Sequence, residues 1–328
     1  MRVALTFNLR RSSSEEDAEL DSRETVAFLA GHLADLGHDV TLVEATCSIR
    51  ALDGRLRRAA PDVVFNIAEG LGGAFREALY PALFEQLGLP HTGSRASVLA
   101  LCLDKAMTCK VARAAGVPVP RGCLVRRARD AIAPIFPAIV KPNFEGSSKG
   151  ITQDAVVTDA SSLERVVAAA LERHAEGVLV EELVPGADVS VAWFDGLGLL
   201  PAFAYDYEPT GAHHIFDYAL KHGPADRVRA LVPAPLDAKT SLRLRRVATR
   251  AFESLGVTGY GRADFRVTPG GDVRFLEMNP LPTLAPSDDE LYRAAALAGA
   301  SPQNLIANVL ASATRDRLVL TRELPRAG

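Results

Sequence analysis

The sequence predicts an α/β fold, α+β in parts, divided into three units, and three observations carry that reading. Over roughly the first 95 residues, short β-branched runs alternate with stretches of helical periodicity, the pattern of a small parallel sheet with helices between its strands. Beyond Pro118 and Pro120 the pattern changes to strand runs around a single amphipathic helix. Later still, two strand runs flank Pro269-Gly270-Gly271, a hairpin signal, ahead of a helical tail. The corresponding boundaries are 1–96, 97–181 and 182–328.

In chain order, Arg2 to Phe7 alternates as a strand and stops at a loop rich in Ser and Glu. Glu24 to Leu36 has helical periodicity and ends at Gly37, and Asp39 to Glu44 and Asp62 to Ala68 are the next strand runs. Asp104 to Ala115 reads as a helix closed by Gly116. In the second unit the strands are Pro137 to Lys141, Asp154 to Val157 and Val178 to Glu181, with a helix over Ser161 to His174. In the third they are Asp188 to Phe194, Gly261 to Val267 and Asp272 to Glu277, with helix from about Asp288 to Ala313.

A chain of 328 residues that is 48% hydrophobic and 23% charged has ordinary globular composition and room for more than one domain. The formal net charge of −3, with both signs mixed along the chain, offers no basic face for a phosphate backbone, so nucleic acid is not expected as a partner. Four cysteines, Cys47, Cys102, Cys109 and Cys123, are too scattered for a metal knuckle or a disulfide scaffold. Met1 to Leu9 is too short for a signal-peptide core, and no apolar run reaches membrane-spanning length. A cytoplasmic protein without a membrane partner is the expectation.

Two constellations carry chemistry. Glu145-Gly146-Ser147-Ser148-Lys149-Gly150 follows a strand ending in Lys141-Pro142. Its small residues leave backbone N–H groups free to approach phosphate oxygens, and Lys141 adds a point charge. The Walker pattern GxxxxGK[ST] is absent, and the loop runs toward another strand. The same residues also suit a flexible glycine-serine turn.

The second constellation is Arg262, Asp264, Glu277 and Asn279. With period-two alternation, Arg262 and Asp264 share one face of their strand, and Glu277 and Asn279 share a face of the next. Two carboxylates and an amide oxygen then converge, a hard oxygen set that suits magnesium bound to nucleotide better than zinc. A surface ion-pair ladder is the competing reading. Gly259-Tyr260-Gly261 begins a near miss to a dinucleotide fingerprint, but Asp264 occupies its last position and a helix precedes where a strand should.

Lys105 within Leu103-Asp104-Lys105, Val140-Lys141-Pro142, the Glu-Gly-Ser-Ser-x-Gly loop, Val178-Leu179-Val180-Glu181-Glu182, Gly261-Arg262-x-Asp264 and Glu277-x-Asn279-Pro280 follow one another in the order of the ATP-grasp motifs. The chain resembles that superfamily, and most closely the D-alanine–D-alanine ligases, from Arg2 to about Ala311. The resemblance implies a three-domain ATP-grasp fold with an N-terminal Rossmann-like parallel sheet. It implies ATP, with two magnesium ions or manganese in their place, small amino acids as substrates, and a homodimer. By motif, Lys105 and Lys141 would meet the α- and β-phosphates beneath the loop of Glu145, Ser147 and Ser148. Glu181, Glu182 and Val184 would hold adenine, and Asp188 the ribose. Lys221 would close the loop over the phosphates, Asp264, Glu277 and Asn279 would ligate the metals, and Arg262 would face the transferring phosphoryl group. Such an enzyme makes an acyl phosphate from a carboxylate and ATP, and an amine then attacks. Phosphoryl transfer asks a protein for positioning and charge neutralisation more than covalent help, which these residues supply. Ser147 accordingly reads as a positioning hydroxyl in the catalytic set, since no Gly-x-Ser-x-Gly elbow surrounds it.

The substrate half departs from the D-alanine pattern. Where the family has His-Gly-x-x-Gly-Glu-Asp-Gly, this chain has Glu69 in place of the His. A carboxylate there favours a cationic substrate group; it also suits a solvated loop acid or a partner for Arg76. The family's early Glu, which meets the first substrate's ammonium, falls near Glu15. Pro280-Leu281-Pro282-Thr283-Leu284 lacks a family glycine whose N–H helps hold an oxyanion. Ser287 and Asp288 replace the polar pair at the second substrate's carboxylate. His222 stands where D-alanine ligases have Tyr and D-alanyl-D-lactate ligases have His, and an imidazole can be charged near neutral pH. His213 and His214 read as loop residues.

The leading expectation is a carboxylate–amine ligase, with a specialised amino-acid or peptide ligase as its close alternative. A nucleotide-binding module without catalysis is disfavoured because the metal and arginine positions are filled. A nicotinamide oxidoreductase is disfavoured because no glycine fingerprint follows Phe7.

Overall fold

A computed structural model describes residues 1–45, 48–127, 130, 134–287 and 289–323, with side chains to 313. Cys47 and Asp288, both named above, lie outside the described residues. Three sheets follow one another along the chain. The first is parallel, β2-β1-β3, built from β1 (Arg2–Phe7), β2 (Asp39–Glu44) and β3 (Val63–Asn66). Helices α1 (Arg23–Asp35) and α2 (Ile49–Ala59) make its crossovers, and the Ser22 hydroxyl caps α1 by accepting the Thr25 N–H at 3.0 Å.

The alternation expected of β1 is absent from its burial: Val3 through Phe7 are all buried. Val3 and Leu5 pack with α1 residues Leu29 and Leu33, whereas Ala4 on the opposite face packs with Leu52 and Leu56 of α2. A strand covered on both faces has no solvent side to mark with polar residues.

Helices α3 (Arg76–Gln86), α4 (Ala96–Leu103) and α5 (Lys105–Ala114) lead to the second sheet. Its order is β4-β7-β5-β6, from β4 (Gly122–Val125), β5 (Ala138–Pro142), β6 (Val156–Val157) and β7 (Val178–Glu182), with α6 (Ala160–Arg173) packed on it. The third sheet runs β11-β10-β8-β12-β13. Its members are β8 (Ala187–Phe194), β10 (Phe203–Tyr207), β11 (Val228–Leu231), β12 (Tyr260–Val267) and β13 (Val273–Asn279), with β9 (Gly198–Leu199) paired to β8. Between β10 and β11 comes the one-turn α7 (Tyr218–Lys221). The hairpin expected at Pro269-Gly270-Gly271 joins β12 to β13, with Gly271 at φ +77°.

The single tail helix expected from Asp288 is two helices, α9 (Asp289–Leu297) and α10 (Pro302–Glu323), separated at Gly299 (φ +81°). Their residues Leu291, Leu305 and Ile306 share a core with β1, β3, Phe194 and Tyr260, so the tail returns to the first sheet.

The largest unexpected element is α8 (Ala238–Leu255), which lies under the third sheet. Its signals were present: Asp237 caps the Thr240 N–H at 2.9 Å, Gly256 ends the helix at φ +69°, and Leu244, Ala248, Ala251, Phe252 and Leu255 fall on one helical face. That face packs on Phe265, Phe275 and Met278, holding the site-bearing hairpin from beneath. Phe252→Ala is expected to cost about 3–5 kcal/mol, read as a lower urea midpoint with an unchanged slope.

Candidate active site

The β12–β13 hairpin sets two cross-strand pairs, Arg262 opposite Asn279 and Asp264 opposite Glu277, with a bulge after Asp264. Arg262 shares its strand face with Asp264 and grips it as a fork, with Nε and Nη2 each 2.8 Å from a different carboxylate oxygen. Ser190, opposite Asp264 on β8, donates to Oδ1 at 2.7 Å. Burial works against the Arg262 charge, but Asp264 outweighs it and holds the guanidinium well above its usual range. Glu277 is bound by Lys105 at 2.9 Å. Desolvation opposes its charge, yet Lys105, then Lys141 and Lys221, pull its carboxyl down to about 2. The Asn279 side-chain oxygen accepts the Leu281 N–H at 2.9 Å.

Above the hairpin lies the Glu145 to Gly150 loop. Ser147 and Ser148 both take left-handed backbone angles, φ +49° and +57°, ahead of Gly150 at +71°. Two non-glycine residues in that region give the loop a strained and specific backbone shape. Lys105 reaches it, with Nζ 2.6 Å from the Glu145 carbonyl oxygen. Asn143, fully buried, fixes that lysine: its NH2 donates to Asp104 at 2.8 Å and its oxygen accepts the Ala106 N–H at 2.9 Å, tying the start of α5 to the loop.

A lid covers the loop. The Ser148 hydroxyl donates to the Phe216 carbonyl at 3.2 Å, the Tyr218 N–H to the Ile151 carbonyl at 3.0 Å, and His222 Nε2 to the Ser147 carbonyl at 3.0 Å. His222 also stacks on Tyr218 at 4.3 Å. Burial, with Lys221, holds its imidazole below the usual range against the opposing Ser147 contact. Lys221 itself is open to solvent by area, yet it hangs in the charge field of Arg262, Glu277 and Asp264. Desolvation and then Arg262 lower its ammonium, a shift that the open rim tempers.

Between β5, β7 and the lid is a slot of about 90 Å³, lined by Ile139, Lys141, Glu181, Val184, Asp188 and Phe216 among others. Glu182 lines it too and accepts the Arg121 N–H at 3.1 Å. Lys141 and Glu181 form a buried ion pair in its floor. Asp188 is held by Arg266 at 2.6 Å and by the Tyr207 hydroxyl at 2.5 Å. Arg266 also donates to the Val184 and His214 carbonyls, at 3.0 and 2.9 Å, so one guanidinium shapes the slot and anchors the lid. The sequence reading missed Arg266, although Arg262, Asp264 and Arg266 alternate along one strand.

On the substrate side the expected residues fall in different surroundings. Glu15 sits exposed in a 3-10 turn and accepts the Gly150 N–H at 2.9 Å, so it latches the phosphate loop and is not in the buried pocket. Glu19 is there instead, receiving Arg76 Nη2 at 3.0 Å on each oxygen and Lys149 at 2.7 Å. Acidic crowding in the Ser12 to Glu19 loop hid this, because only the fold decides which carboxylate turns inward. Ser287 occupies an exposed turn ahead of α9. Arg76 is committed to Glu19 and to the Phe144 carbonyl at 2.6 Å, so the suggested Glu69–Arg76 pair is not made. Burial, then Glu77, Glu19 and Asp21, push the Glu69 carboxyl well above its usual range. Burial likewise raises Glu77 to about 7 and Asp21 to about 8.

Two antiparallel sheets gripping a slot between a lysine-floored strand and a carboxylate-bearing hairpin define the ATP-grasp class. A family model described as D-ala D-ala ligase C-terminus matches residues 115–311. The chain is 33% identical to the D-alanine–D-alanine ligase of Gluconobacter oxydans, over 88% of this chain and 91% of that one. It is also 33% identical to that of Syntrophotalea carbinolica, over 92% and 93%. The D-alanine–D-alanine ligase of Bacillus anthracis complexed with ATP superposes with a TM-score of 0.76 at 20% identity, over 98% of this chain and 99% of that one, a likeness of fold. The chain belongs to the D-alanine–D-alanine ligase family and is an ATP-grasp ligase. Among the described residues, no helix is long and apolar enough to cross a membrane.

Two outcomes follow from the charges. Lys141→Met strands Glu181 in the slot and is expected to cost about 3–5 kcal/mol, whereas Lys141→Met with Glu181→Leu recovers most of that stability and still binds ATP poorly, read by thermal unfolding and calorimetric titration. Asp21, with a folded pKa near 8, binds a proton that the unfolded chain has released above about pH 4, so its contribution to stability falls as pH rises from 4 to 8. Asp21→Asn is expected to flatten the decline of melting temperature over that window.

Proposed function

We propose that this ligase joins two small amino acids through an acyl phosphate, with an acid-substrate pocket that differs from the one D-alanine requires. One observation carries the reading: Lys105 bridges Glu277 of the hairpin and the Glu145 carbonyl of the serine loop, while Lys141, Arg266 of β12 and Leu276 of β13 line the slot, a set of cations and carboxylates suited to a triphosphate and its metal. Magnesium fits the donor set, since Asp264, Glu277 and Asn279 offer hard oxygens and no sulfur. Among the described residues no three His, Cys, Asp or Glu side chains gather as a cage, which suits an ion that completes its shell with water and phosphate. When bound, it would neutralise charge between the phosphates.

In the proposed reaction a carboxylate oxygen of the acid substrate attacks the γ-phosphorus and ADP leaves. The amine of the second substrate then attacks the acyl carbon, phosphate departs, and one proton is released as the amide forms. Arg262 would stabilise the transferring phosphoryl charge, while Ser147 positions the loop carbonyl that His222 holds. Lys105 and Lys141 would exchange their present carboxylate partners for phosphate oxygens, and Lys221 would complete the closure. Glu181, Glu182 and Val184 would hold the base, and Asp188, preset by Arg266, the ribose.

Mass spectrometry after incubation with ATP, magnesium and pooled amino acids is expected to show a new dipeptide-mass product and ADP. Turnover with D-alanine alone as fast as with any other amino acid would defeat the altered-pocket reading. Arg262→Ala is expected to lower kcat by about 10³-fold or more with ATP affinity changed far less, measured by phosphate release and calorimetry.

A further inference from the structure

Beside the Glu145 to Gly150 loop the fold gathers more carboxyl groups than cations to pair with them. Glu19, Asp21, Glu69 and Glu77 act on one another there, and the cations that bear on them have other partners, Arg10 among them, which acts on Asp21 from a distance and donates to the Asp17, Ala18 and Leu20 carbonyls. Arg76 serves Glu19 and the Phe144 carbonyl, lying only 4.0 Å from Glu77, and Lys149 is divided between Glu19 at 2.7 Å and Glu145 at 2.5 Å. Among the described residues, no cation lies within ion-pair distance of Glu69 or Asp21.

Two further groups are left unsatisfied at the same place. The Tyr260 hydroxyl is fully buried and without a partner, and Glu69 and Asp21 are the first charges that bear on it. Asp21 Oδ2 is buried and unpartnered as well. A buried polar group without a partner costs roughly 1–3 kcal/mol, so the phenol and the carboxylate oxygen each call for a partner that the described side chains do not supply. Gly70 makes the arrangement rigid. At φ +86° it lets the chain turn so tightly that a Cβ would sit 2.3 Å from the Arg76 carbonyl oxygen, and its N–H is held by Asn8 at 2.8 Å. Glu69 is thereby fixed beside Arg76 without pairing to it.

We propose that the acid substrate is a basic amino acid, and that Glu69, Asp21 and the Tyr260 hydroxyl together bind the cationic group of its side chain, an ammonium or guanidinium distinct from the α-ammonium. One α-ammonium neutralises one carboxylate and leaves the rest of the set in excess. A second cation with several N–H donors satisfies Glu69 and Asp21 by charge and Tyr260 by hydrogen bond. The phosphate-loop side, where Glu19 is already neutralised by Arg76 and Lys149, is left to the reacting carboxylate.

The proposal rests on the ligase reading, and the experiment separates the two. The full-length protein with ATP and magnesium is offered ornithine, lysine, norvaline and norleucine in both stereochemical forms, with hydroxylamine as the amine, and ADP and hydroxamate are measured. The expected result is a kcat/KM for ornithine or lysine at least tenfold above that for its uncharged isostere. Glu69→Gln is expected to bring that ratio near one, and Tyr260→Phe to reduce it severalfold while the fold, read by circular dichroism, is kept. Equal rates for basic and neutral isosteres, or a Glu69→Gln variant that keeps the preference, overturn the proposal while ligation stands. ADP formation with no amino acid at all overturns the ligase reading. In that case calorimetry of lysine against norleucine with the ATP-bound protein decides the pocket, with tighter lysine binding supporting it and equal binding overturning it.

Discussion

One ammonium group joins helix α5, the third sheet and the loop that follows β5. Lys105, at the start of α5, is 2.9 Å from Glu277 on the third sheet and 2.6 Å from the Glu145 carbonyl beyond the second. It is nearly excluded from solvent, so its partners cannot be exchanged for water without cost. Asn143 and Asp104 hold the helix start that presents it. Remove that charge and the carboxylate of Glu277 faces Asp264 across the hairpin with no local counter-ion of equal reach. Both lysines of the site are thereby held on carboxylates, Lys105 on Glu277 and Lys141 on Glu181.

The same logic runs outward. Arg262 with Asp264, Lys141 with Glu181 and Arg266 with Asp188 each place a cation and an anion on neighbouring strands or on one strand. A buried pair of this kind adds little net stability compared with apolar residues, but it fixes geometry, since either partner alone is expensive. A phosphoryl-transfer site needs groups already aimed before charge moves, and the hairpin, supported from below by α8, supplies that rigidity. The substrate pocket breaks the rule: its carboxylates outnumber its cations, so the balancing charge must arrive with a ligand or a proton.

The placement of Lys141 and of the β12–β13 residues was legible because they are tied to short motifs on single elements. Lys141 ends a strand, Arg262 and Asp264 alternate on another, and the cross-strand partners follow from the Pro269-Gly270-Gly271 turn. The substrate half was not, because its geometry is tertiary. Glu15 and Glu19 lie four positions apart in one acidic loop, and only docking against Arg76 and Lys149 selects Glu19. Arg266 and α8 had readable signals, an alternating strand and a capped amphipathic run, and were overlooked because neither carries a motif. The burial of β1 on both faces was invisible for another reason: five apolar-compatible residues look alike whether one face or both are covered.

The central claim is that the acid substrate's carboxylate takes the γ-phosphoryl group. Transfer of heavy oxygen tests it directly: the acid substrate is labelled with ¹⁸O in both carboxylate oxygens, turned over with ATP and magnesium, and the released phosphate is analysed by mass. Attack at the γ-phosphorus followed by displacement at the acyl carbon carries one labelled oxygen into inorganic phosphate, and that is the predicted result. Label recovered in AMP, or phosphate with none, would contradict the account.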